Sequence, residues 1–366
     1  MDRQPARPRV LWRHQRCCEA GARPAAAIIS TPPRTGPGAP AEPIHPSRGP
    51  LPHDDTLAGE GGTPLAAPVI VTVAYRSGAV LPGLAEDLAR QSVRPNAWLL
   101  VDNAPASDPL DLTPLQAAAA SAGPGDPPLP IRVLQGREGE GFGAGCNRAL
   151  DALAAEGWDG WVWLLNPDTG LPDGGELEQL LALLPSLPQA ALLGTAVVDE
   201  HGALEASGGW IDRGLAFRAR QLDETHAGGD TPVVVDWLSG CSLLLRPAAQ
   251  PRPPRFDPLF PLYYEDMDLC LRLAGQGATA LWLPSPRLLH RRGSGSRTAS
   301  ARRLRLSTLS YLRFLRRHCP AWVFALRTLR LLLLTLLRLP LRPRRSAAVL
   351  AAAGRVLGES LQRQAP

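Results

Sequence analysis

The fold is decided by the apolar stretch VIVTV at residues 69–73, which starts directly after Pro68. A β-branched run of this length between turn-forming residues is typical of a strand that is buried on both faces of a sheet. A helical pattern follows at residues 81–90, and a second apolar run, AWLLV, follows at residues 97–101. The sequence therefore begins a series of alternating strands and helices.

The alternation continues with a helix, a strand, a helix and a strand, predicted at residues 114–120, 131–134, 146–156 and 161–165. This order predicts an α/β fold with a doubly wound, mostly parallel sheet. The second half is less regular, and there we predict strands at 191–198, 233–245 and 278–283, a helix at 264–275, and a turn at 284–286. Loops are predicted at the Gly208-Gly209 pair and at residues 246–262.

Composition divides the chain into three parts. Residues 1–67 are rich in Pro, Ala, Gly and Arg without a period, which predicts a disordered extension or an over-extended gene start. Residues 68–297 form the predicted α/β domain, and residues 298–366 form a Leu- and Arg-rich helical tail. The tail has fourteen Arg and one acidic residue, so its charge of +13 stands against −8 for the rest of the chain. Such asymmetry indicates a polyanionic partner.

The cysteines and the N-terminus bear on the compartment. The six cysteines form no CxxC pair, and residues 1–18 contain no uninterrupted apolar segment. We therefore expect reduced thiols and no signal peptide, which predicts a cytoplasmic protein.

Four polar residues lie at, or just past, the predicted carboxyl ends of strands: Tyr75, Asp102, Arg137 and Asp168. In a doubly wound sheet the ligand crevice lies beyond these ends. Each residue alone could merely cap a helix or a turn. The set of four favours a shared ligand site.

Asp168 ends the sequence NPD, which follows the strand predicted at 161–165. A carboxylate in this place suits a hard cation such as Mg²⁺ or Mn²⁺, which typically takes one or two carboxylates together with substrate phosphates. The alternative is an Asp that starts a turn or caps the next helix.

The sequence YYEDMDLCLR at residues 263–272 places three carboxylates within four positions, directly before an apolar helix. These carboxylates repel one another and raise each other's pKa unless a cation or a helix N-terminus compensates. One of them is therefore a candidate to accept a proton from a substrate hydroxyl. An ordinary acidic first helical turn is the alternative.

His290 precedes RRGSGS at residues 291–296, a loop whose backbone N–H groups and guanidinium charge could bind a diphosphate. A structural histidine is the alternative. The sequence GEGFGAGCNR at residues 139–148 also contains the G-x-G-x-x-A spacing of dinucleotide-binding proteins, which gives an NAD-dependent dehydrogenase as a rival. However, this unit follows the third predicted strand instead of the first, and the rival leaves the acidic cluster unexplained.

In this order the motifs resemble the family 2 glycosyltransferases of the GT-A fold, especially the rhamnosyltransferase-like branch. The resemblance covers residues 69–296. It rests on the ordered motifs VTVAY (71–75), VDN (101–103), GFGAGCNR (141–148), LNPD (165–168) and YEDMDLC (264–270), with HRRGSGS (290–296) after them. The sequence differs from the family pattern at Asn166, where many relatives carry a further Asp, and at Arg137 or Glu138, where the family has Asn.

The resemblance implies roles for ten residues. Those implied to bind the donor are Tyr75, Asp102, Arg137, Asn147, Ser239 and Gly240, of which Tyr75 and Asp102 would hold the nucleobase and Ser239 and Gly240 a wall of the sugar site. Asp168 and His290 would bind Mg²⁺ or Mn²⁺ on the diphosphate. Asp266 would be the general base, with Glu265 as its neighbour or substitute. Family members invert the anomeric configuration by direct displacement.

The tail is predicted to lie on a membrane and not to cross it. Its longest uncharged apolar run has about seven residues, at 331–337, where about twenty are needed to span a bilayer. Arg327, Arg330 and Arg338 fall within an arc of about 80° on a helix bracketed by prolines, which is typical of a helix in an anionic membrane interface. A helix packed on the α/β domain is the alternative. Nucleic acid is not expected, because no aromatic interleaving and no binding motif accompany the charge.

Together these features predict transfer of a sugar from a nucleoside-diphosphate donor to a hydroxyl of a cell-envelope glycan or a lipid-linked acceptor, at the inner membrane face. The resemblance implies that the donor is dTDP-rhamnose. The alternatives are a nucleotide-sugar-binding module without catalysis and the dehydrogenase.

Overall fold

The structure is a computed structural model that describes residues 66–120, 128–188, 190–205, 207–213, 217–227, 229–250, 252–291 and 300–362. The predicted disordered segment at 1–67 therefore lies outside the described residues, apart from its last two positions. The strands are β1 Val69–Ala74, β2 Ala97–Asp102, β3 Ile131–Gln135, β4 Val162–Leu165, β5 Thr169–Gly170, β6 Ala190–Val198, β7 Gly208–Asp212, β8 Arg218–Gln221, β9 Val233–Val235, β10 Trp237–Leu238, β11 Ser242–Leu245 and β12 Thr279–His290. The helices are α1 Leu81–Ala89, α2 Thr113–Ala119, α3 Phe142–Ala155, α4 Glu176–Leu183, α5 Glu224–Ala227, α6 Glu265–Ala274, α7 Ala301–His318, α8 Ala321–Arg338 and α9 Pro343–Gln362.

The central sheet has the strand order β3-β2-β1-β4-β11-β6-β12-β5, and β9 pairs with β12. β3, β2, β1 and β4 are parallel, and their register aligns Ala74 with Asp102 and Asp102 with Gln135. β11 runs antiparallel between β4 and β6, whereas β6 and β12 are parallel. The predicted α/β class with a mostly parallel sheet is confirmed, and the antiparallel β11 marks where the regular alternation ends.

Two apolar layers cover the sheet because the central strands are buried on both faces. All six residues of β1 are buried, and so are all six of β2. Side chains alternate between the faces. Ile70 and Trp98 pack in the layer formed with α1, α2 and α4, and Val71 and Leu99 pack in the layer formed with α3 and α6. This burial explains why both strands read as continuous apolar runs.

The loop predicted at Gly208-Gly209 is wrong, because both residues belong to β7 of a small sheet with the order β10-β7-β8. A Cβ atom on Gly209 would lie 1.9 Å from the carbonyl oxygen of Arg220 on β8. Glycine is present here because a neighbouring backbone approaches closely, and not because the chain turns. The strand predicted at 233–245 is also divided, into β9, β10 and β11.

The final strand is longer than the prediction of 278–283, and the turn predicted at 284–286 is wrong. β12 continues to His290, and its register against β6 shifts between Leu283 and Arg287. The two prolines of this segment, Pro284 and Pro286, lack an N–H donor, and a bulge accommodates them without ending the strand. His290 is therefore a strand residue at the edge where β12 meets β5.

The tail consists of the three helices α7, α8 and α9, which share an apolar cluster of their own. α7 also packs on the α/β domain, where Phe314 lies 6.4 Å from Phe217 between ring centroids. The predicted helical character of the tail is confirmed. One of its helices, α7, packs on the α/β domain, which is the kind of packing that the alternative interpretation described. Among the described helices, none is long and apolar enough to cross a membrane.

Asp268 joins the tail to α6. Its side chain is fully buried and accepts hydrogen bonds from Arg272 (2.7 Å), Arg317 (3.0 Å) and His318 (2.8 Å), of which the last two belong to α7. Burial alone would raise the pKa of Asp268, but the hydrogen bonds from His318 and Arg272 outweigh burial and hold the pKa below its usual value. The third carboxylate of the acidic cluster is therefore structural.

We expect Asp268→Asn to lower the free energy of unfolding by about 2–3 kcal/mol, because it leaves partly buried cations without their counter-charge. Urea unfolding followed by circular dichroism measures this change. The matched control is Asp151→Asn, which removes an exposed carboxylate paired with Arg255 and should cost less than about 1 kcal/mol. Equal losses in the two variants would contradict the role of Asp268.

Candidate active site

Asp168 and His290 meet where two short strand segments pair. β4 ends at Leu165, the chain turns through Asn166 to Asp168, and β5 then pairs with the end of β12 so that His290 aligns with Thr169. The backbone N–H of Arg291 donates to the carbonyl oxygen of Asp168 at 2.7 Å. The backbone pairing thus brings together two residues that are 122 positions apart in sequence.

The imidazole of His290 lies between two carboxylates. Nε2 is 3.2 Å from Oδ2 of Asp168, and Nδ1 is 2.7 Å from Oε2 of Glu205. Ionised carboxylates only accept hydrogen bonds, so each ring nitrogen carries a proton when both contacts are hydrogen bonds. Burial alone would lower the pKa of His290, but the hydrogen bonds with Asp168 and Glu205 raise it to about 9.

The pair also has the chemistry that a divalent cation requires. Oδ1 of Asp168 is buried and has no hydrogen-bond partner among the described residues. Glu205 on Nδ1 is the kind of carboxylate partner that orients a metal-binding histidine and directs Nε2 to the ion. In the described part of the chain, no group of three or more His, Cys, Asp or Glu side chains could hold a metal by itself. Two protein ligands completed by substrate phosphates would suit Mg²⁺ or Mn²⁺.

Residues 239–241, which we call the bridging segment, connect the metal side of the site with the acidic cluster. On one side, the carbonyl oxygen of Cys241 accepts hydrogen bonds from the backbone N–H of Asn166 (3.1 Å) and from Oγ1 of Thr169 (3.3 Å). On the other side, the backbone N–H of Gly240 donates to Oδ2 of Asp266 at 2.9 Å. The segment therefore contacts both the turn that holds Asp168 and the start of α6.

Asn166 stands where many relatives of the resembled family carry an acid, and here it supports the bridging segment. Its Nδ2 is 3.2 Å from Sγ of Cys241, in addition to the backbone hydrogen bond between the two residues. The amide thus stabilises the site without adding a second carboxylate to it.

A strained backbone presents the acidic cluster. Tyr263 and Tyr264 have φ angles of 63° and 69°, a left-handed conformation that non-glycine residues rarely adopt. Nε of Arg303 on α7 donates to the hydroxyl of Tyr263 at 2.9 Å, and its guanidinium lies over the same ring. Two consecutive strained residues of this kind are held by the surrounding structure and are found preferentially at functional sites.

The first two carboxylates of α6 have different environments. Asp266 is half-buried and accepts from the N–H groups of Gly240 and Met267, whereas Glu265 is buried and its Oε2 has no hydrogen-bond partner in the described chain. Burial raises the pKa of Asp266. Burial, together with the charge of Asp266, raises the pKa of Glu265 well above its usual value. The two neighbouring carboxyl groups thus differ in their surroundings and in how strongly burial raises their pKa values.

The residues implied to bind the nucleotide lie at the ends of the parallel strands. Tyr75 follows β1 and is 40% exposed, and Arg137 follows β3 and is exposed. Asp102 ends β2 and is buried, where Oδ1 accepts from the N–H of Ala104 and Oδ2 from that of Leu110. Asp102 thus shapes the loop after β2, and the donor contacts of all three residues, including the nucleobase contacts of Tyr75 and Asp102, remain predictions.

The side chain of Asn147 is used structurally. Its Nδ2 donates to the carbonyl oxygen of Phe256 at 2.8 Å, and its Oδ1 accepts from the N–H of the same residue at 2.9 Å. A contact with the donor remains a prediction for Asn147, as it does for Ser239, which lies in the bridging segment and accepts from the N–H of Cys241.

The Gly-rich motif also serves packing. A Cβ atom on Gly141 would lie 2.6 Å from the carbonyl oxygen of Pro261, and one on Gly143 would lie 2.8 Å from Cβ of Phe256. Both glycines pack against other segments of the protein and do not line an open phosphate-binding turn. The motif follows β3, at the edge of the sheet, which also speaks against a dinucleotide-binding unit.

Two residues near the site were missed by the sequence analysis. Glu205 lies in a short irregular segment without any periodic signal, and only the fold brings it to His290. Arg302 lies in the first turn of α7, and its Nη2 and Cε2 of Tyr75 are 3.0 Å and 3.8 Å from the place a Cβ atom would take on Gly139. A tail arginine next to a strand end has no local sequence signal.

The RRGSGS loop predicted to bind a diphosphate lies outside the described residues beyond Arg291.

Comparisons with known proteins identify relatives for the chain. No family model matches it. Two curated proteins of Mycobacterium tuberculosis, from the strains CDC 1551 / Oshkosh and ATCC 25618 / H37Rv, are each 29% identical to it over 252 residues, which cover 60% of this chain and 75% of the relative. Both are named N-acetylglucosaminyl-diphospho-decaprenol L-rhamnosyltransferase. The predicted resemblance to rhamnosyltransferase-like glycosyltransferases is therefore confirmed by homology.

Two solved structures were also found in the comparison, both at low similarity to this chain. GalNAc-T7 with UDP, GalNAc and Mn2+ is 14% identical, with a TM-score of 0.46 over 69% of this chain and 48% of its own, so this chain spans about half of that protein. The mannosyltransferase PcManGT from Pyrobaculum calidifontis, in complex with GDP-Man and Mn2+, has the same identity and TM-score over 81% of this chain and 80% of its own.

We expect His290 of the metal-free protein to titrate near pH 9. Its pKa is raised above the unfolded value of about 6.5, so its contribution to stability is complete below pH 6.5 and is lost as the pH rises through about 9. Histidine NMR spectra recorded in the presence of EDTA measure the pKa directly. Glu205→Gln should move it toward 6.5, while His201→Gln, at an exposed histidine, should leave it unchanged. A pKa near 6.5 in the wild type would contradict the described pairing.

Proposed function

We propose that this homologue of rhamnosyltransferases transfers a sugar, with rhamnose as the candidate, from a nucleoside-diphosphate donor to a hydroxyl of a lipid-linked cell-envelope glycan, with inversion at the anomeric carbon. The observation that supports the proposal best is the bridging segment. It contacts Asp266 on one side and the turn of Asp168 on the other, so that the proposed base and the proposed metal ligand adjoin the same three residues.

Asp266 would act as the general base. Its two oxygens are oriented by N–H groups of Gly240 and Met267, and each oxygen keeps a further lone pair for the acceptor hydroxyl. As the hydroxyl oxygen attacks the anomeric carbon, its proton passes to Asp266 and the bond to the diphosphate breaks on the opposite face. Burial raises the pKa of Asp266, which makes it a stronger base than an ordinary aspartate.

Glu265 would assist without taking the proton. Burial and the charge of Asp266 raise the pKa of Glu265 well above its usual value, so the pair favours one negative charge over two. This arrangement follows the general rule that two neighbouring carboxyl groups divide their roles when their environments separate their pKa values.

The leaving group would be held on the other side of the bridging segment. Asp168 and His290 would hold Mg²⁺ or Mn²⁺, and the ion would neutralise charge on the departing diphosphate. Tyr75, Asp102 and Arg137 would bind the nucleotide. Arg302 has no ion-pair partner among the described residues and lies beside Tyr75, so its guanidinium is available to an anionic donor.

The acceptor and the location follow from the relatives and from the tail. The name of the relatives specifies a sugar linked through a diphosphate to decaprenol. We therefore propose a polyprenyl-linked acceptor for this chain, and a cytoplasmic location on the inner membrane face. The basic tail would provide the membrane contact.

We expect Asp266→Asn to lower kcat by about 10²- to 10⁴-fold with little change in the KM for the donor, because the variant keeps the shape but loses the base. Glu265→Gln is the matched control. Glutamine mimics a protonated carboxyl, so kcat should fall by less than about tenfold. In the wild type, kcat/KM should fall as the pH drops through the raised pKa of Asp266. Donor binding without any effect of Asp266→Asn on turnover would indicate a binding module instead.

We expect Arg302→Gln to weaken binding of a nucleoside diphosphate by about tenfold, because it removes a cation beside the donor site. Isothermal titration in the presence of Mn²⁺ measures the affinity. Arg305→Gln changes an exposed arginine of the same helix and should leave the affinity unaltered. Identical affinities for the two variants would remove Arg302 from the donor site.

A further inference from the structure

The solvent face of α8 is apolar along most of its length. It carries Trp322, Leu326, Leu329, Leu333, Leu336 and Leu337, which are 52–75% exposed and which we call the leucine stripe. Apart from the stripe and the adjoining Leu339 and Leu341, the exposed large hydrophobic residues of the described chain are Tyr75 and Leu357. The exposed apolar surface is therefore concentrated on one helix.

The leucine stripe is continuous. With about 100° per residue, its six side chains fall within an arc of about 100°, over a length of about 22 Å. The opposite side of α8 is buried through Val323, Thr328, Leu331 and Thr335 against the other tail helices and the α/β domain. α8 thus has one face that the fold uses and one that it leaves to an external partner. A contiguous apolar patch of this kind marks an interaction surface.

Positive charge adjoins the leucine stripe on one side and at one end. Arg330 is exposed at the edge of the stripe, and Arg327 and Arg338 follow it around the helix. Beyond the end of α8 come three further arginines at positions 342, 344 and 345. The one acidic residue of the tail, Glu359, binds Arg313 and Arg316 and does not face these arginines as a counter-charge.

The leucine stripe and the adjoining arginines together indicate which kind of partner this surface binds. A second copy of the chain placed against the stripe would bring two sets of arginines together without acidic groups to pair with them. An anionic lipid surface offers phosphate groups to the arginines and acyl chains to the leucines. None of the described helices is long and apolar enough to cross a bilayer, so the geometry is that of a helix lying in the interface.

We propose that the leucine stripe docks this protein on an anionic lipid bilayer, with α8 parallel to the membrane plane. The proposal deepens the proposed function and rests on it for the identity of the acceptor, but binding to lipid itself requires no catalysis. α8 follows α7 directly, and the first turn of α7 contacts Tyr263 and approaches Tyr75 at the site. Docking would therefore hold the cleft close to the surface that contains a lipid-linked acceptor.

Flotation of the full-length protein with vesicles tests the proposal. One set contains about one third phosphatidylglycerol in phosphatidylcholine, and the other contains phosphatidylcholine alone. The test variant is the triple substitution Leu326→Gln, Leu333→Gln and Leu337→Gln, at positions that are all exposed, so folding should be retained. The control is Leu357→Gln, which changes an exposed leucine of α9 away from the stripe.

We expect the wild type and the control to float with the anionic vesicles, and the triple variant to lose at least about tenfold of the bound fraction. Arg330→Gln with Arg338→Gln should abolish the preference for anionic over neutral vesicles. Binding of a nucleoside diphosphate should be equal in all variants, because the stripe lies outside the site. This measurement separates a failed docking proposal from a failed proposed function.

Three outcomes would overturn the proposal. The first is an unbound wild type on anionic vesicles. The second is a triple variant that floats as the wild type does. The third is a wild type that sediments as a dimer while the triple variant sediments as a monomer, which would assign the stripe to a second copy of the chain.

Discussion

The hydrogen bonds around residues 239–241 are the constraint on which the rest of the site depends. These residues join β10 to β11, the strand at which the parallel half of the sheet gives way to an antiparallel pairing. They contact Asn166 through Cys241 and Asp266 through Gly240, and so they link the turn of Asp168 to the start of α6. Residues from three distant parts of the chain thereby meet at one place, and the proposed mechanism requires such an arrangement to be in place before the donor binds.

The second constraint comes from the tail. Asp268 receives Arg317 and His318 from α7, and Arg303 of the same helix holds the strained Tyr263. The helix that carries Asp266 therefore contacts a segment that composition alone would assign to a separate basic region. The carboxylates of the acidic cluster are adjacent and look alike in sequence, but each has different partners in the structure.

Much of the fold was predictable because buried parallel strands leave a strong local signal, as in β1 and β2. The pairing of Asp168 with His290 followed from ordered motifs. The remainder depended on contacts between distant segments. The sequence predicts that Gly209 is a loop residue, whereas the structure places the backbone of β8 directly beside it. A proline pair normally ends a strand, yet β12 continues by means of a bulge. Glu205 has no periodic context, so its contact with His290 could only emerge from the tertiary structure.

The junction between α6 and α7 has a consequence for recombination among relatives. A chimaera that takes the α/β domain from one parent and the tail from another would combine Asp268 with foreign residues at positions 317 and 318, and Phe217 with a foreign residue at position 314. A breakpoint near residue 297, where the composition of the chain changes, would separate these partners. Breakpoints before Phe217 would inherit all of these contacts from the same parent, together with the ion pair between Asp257 and Arg317.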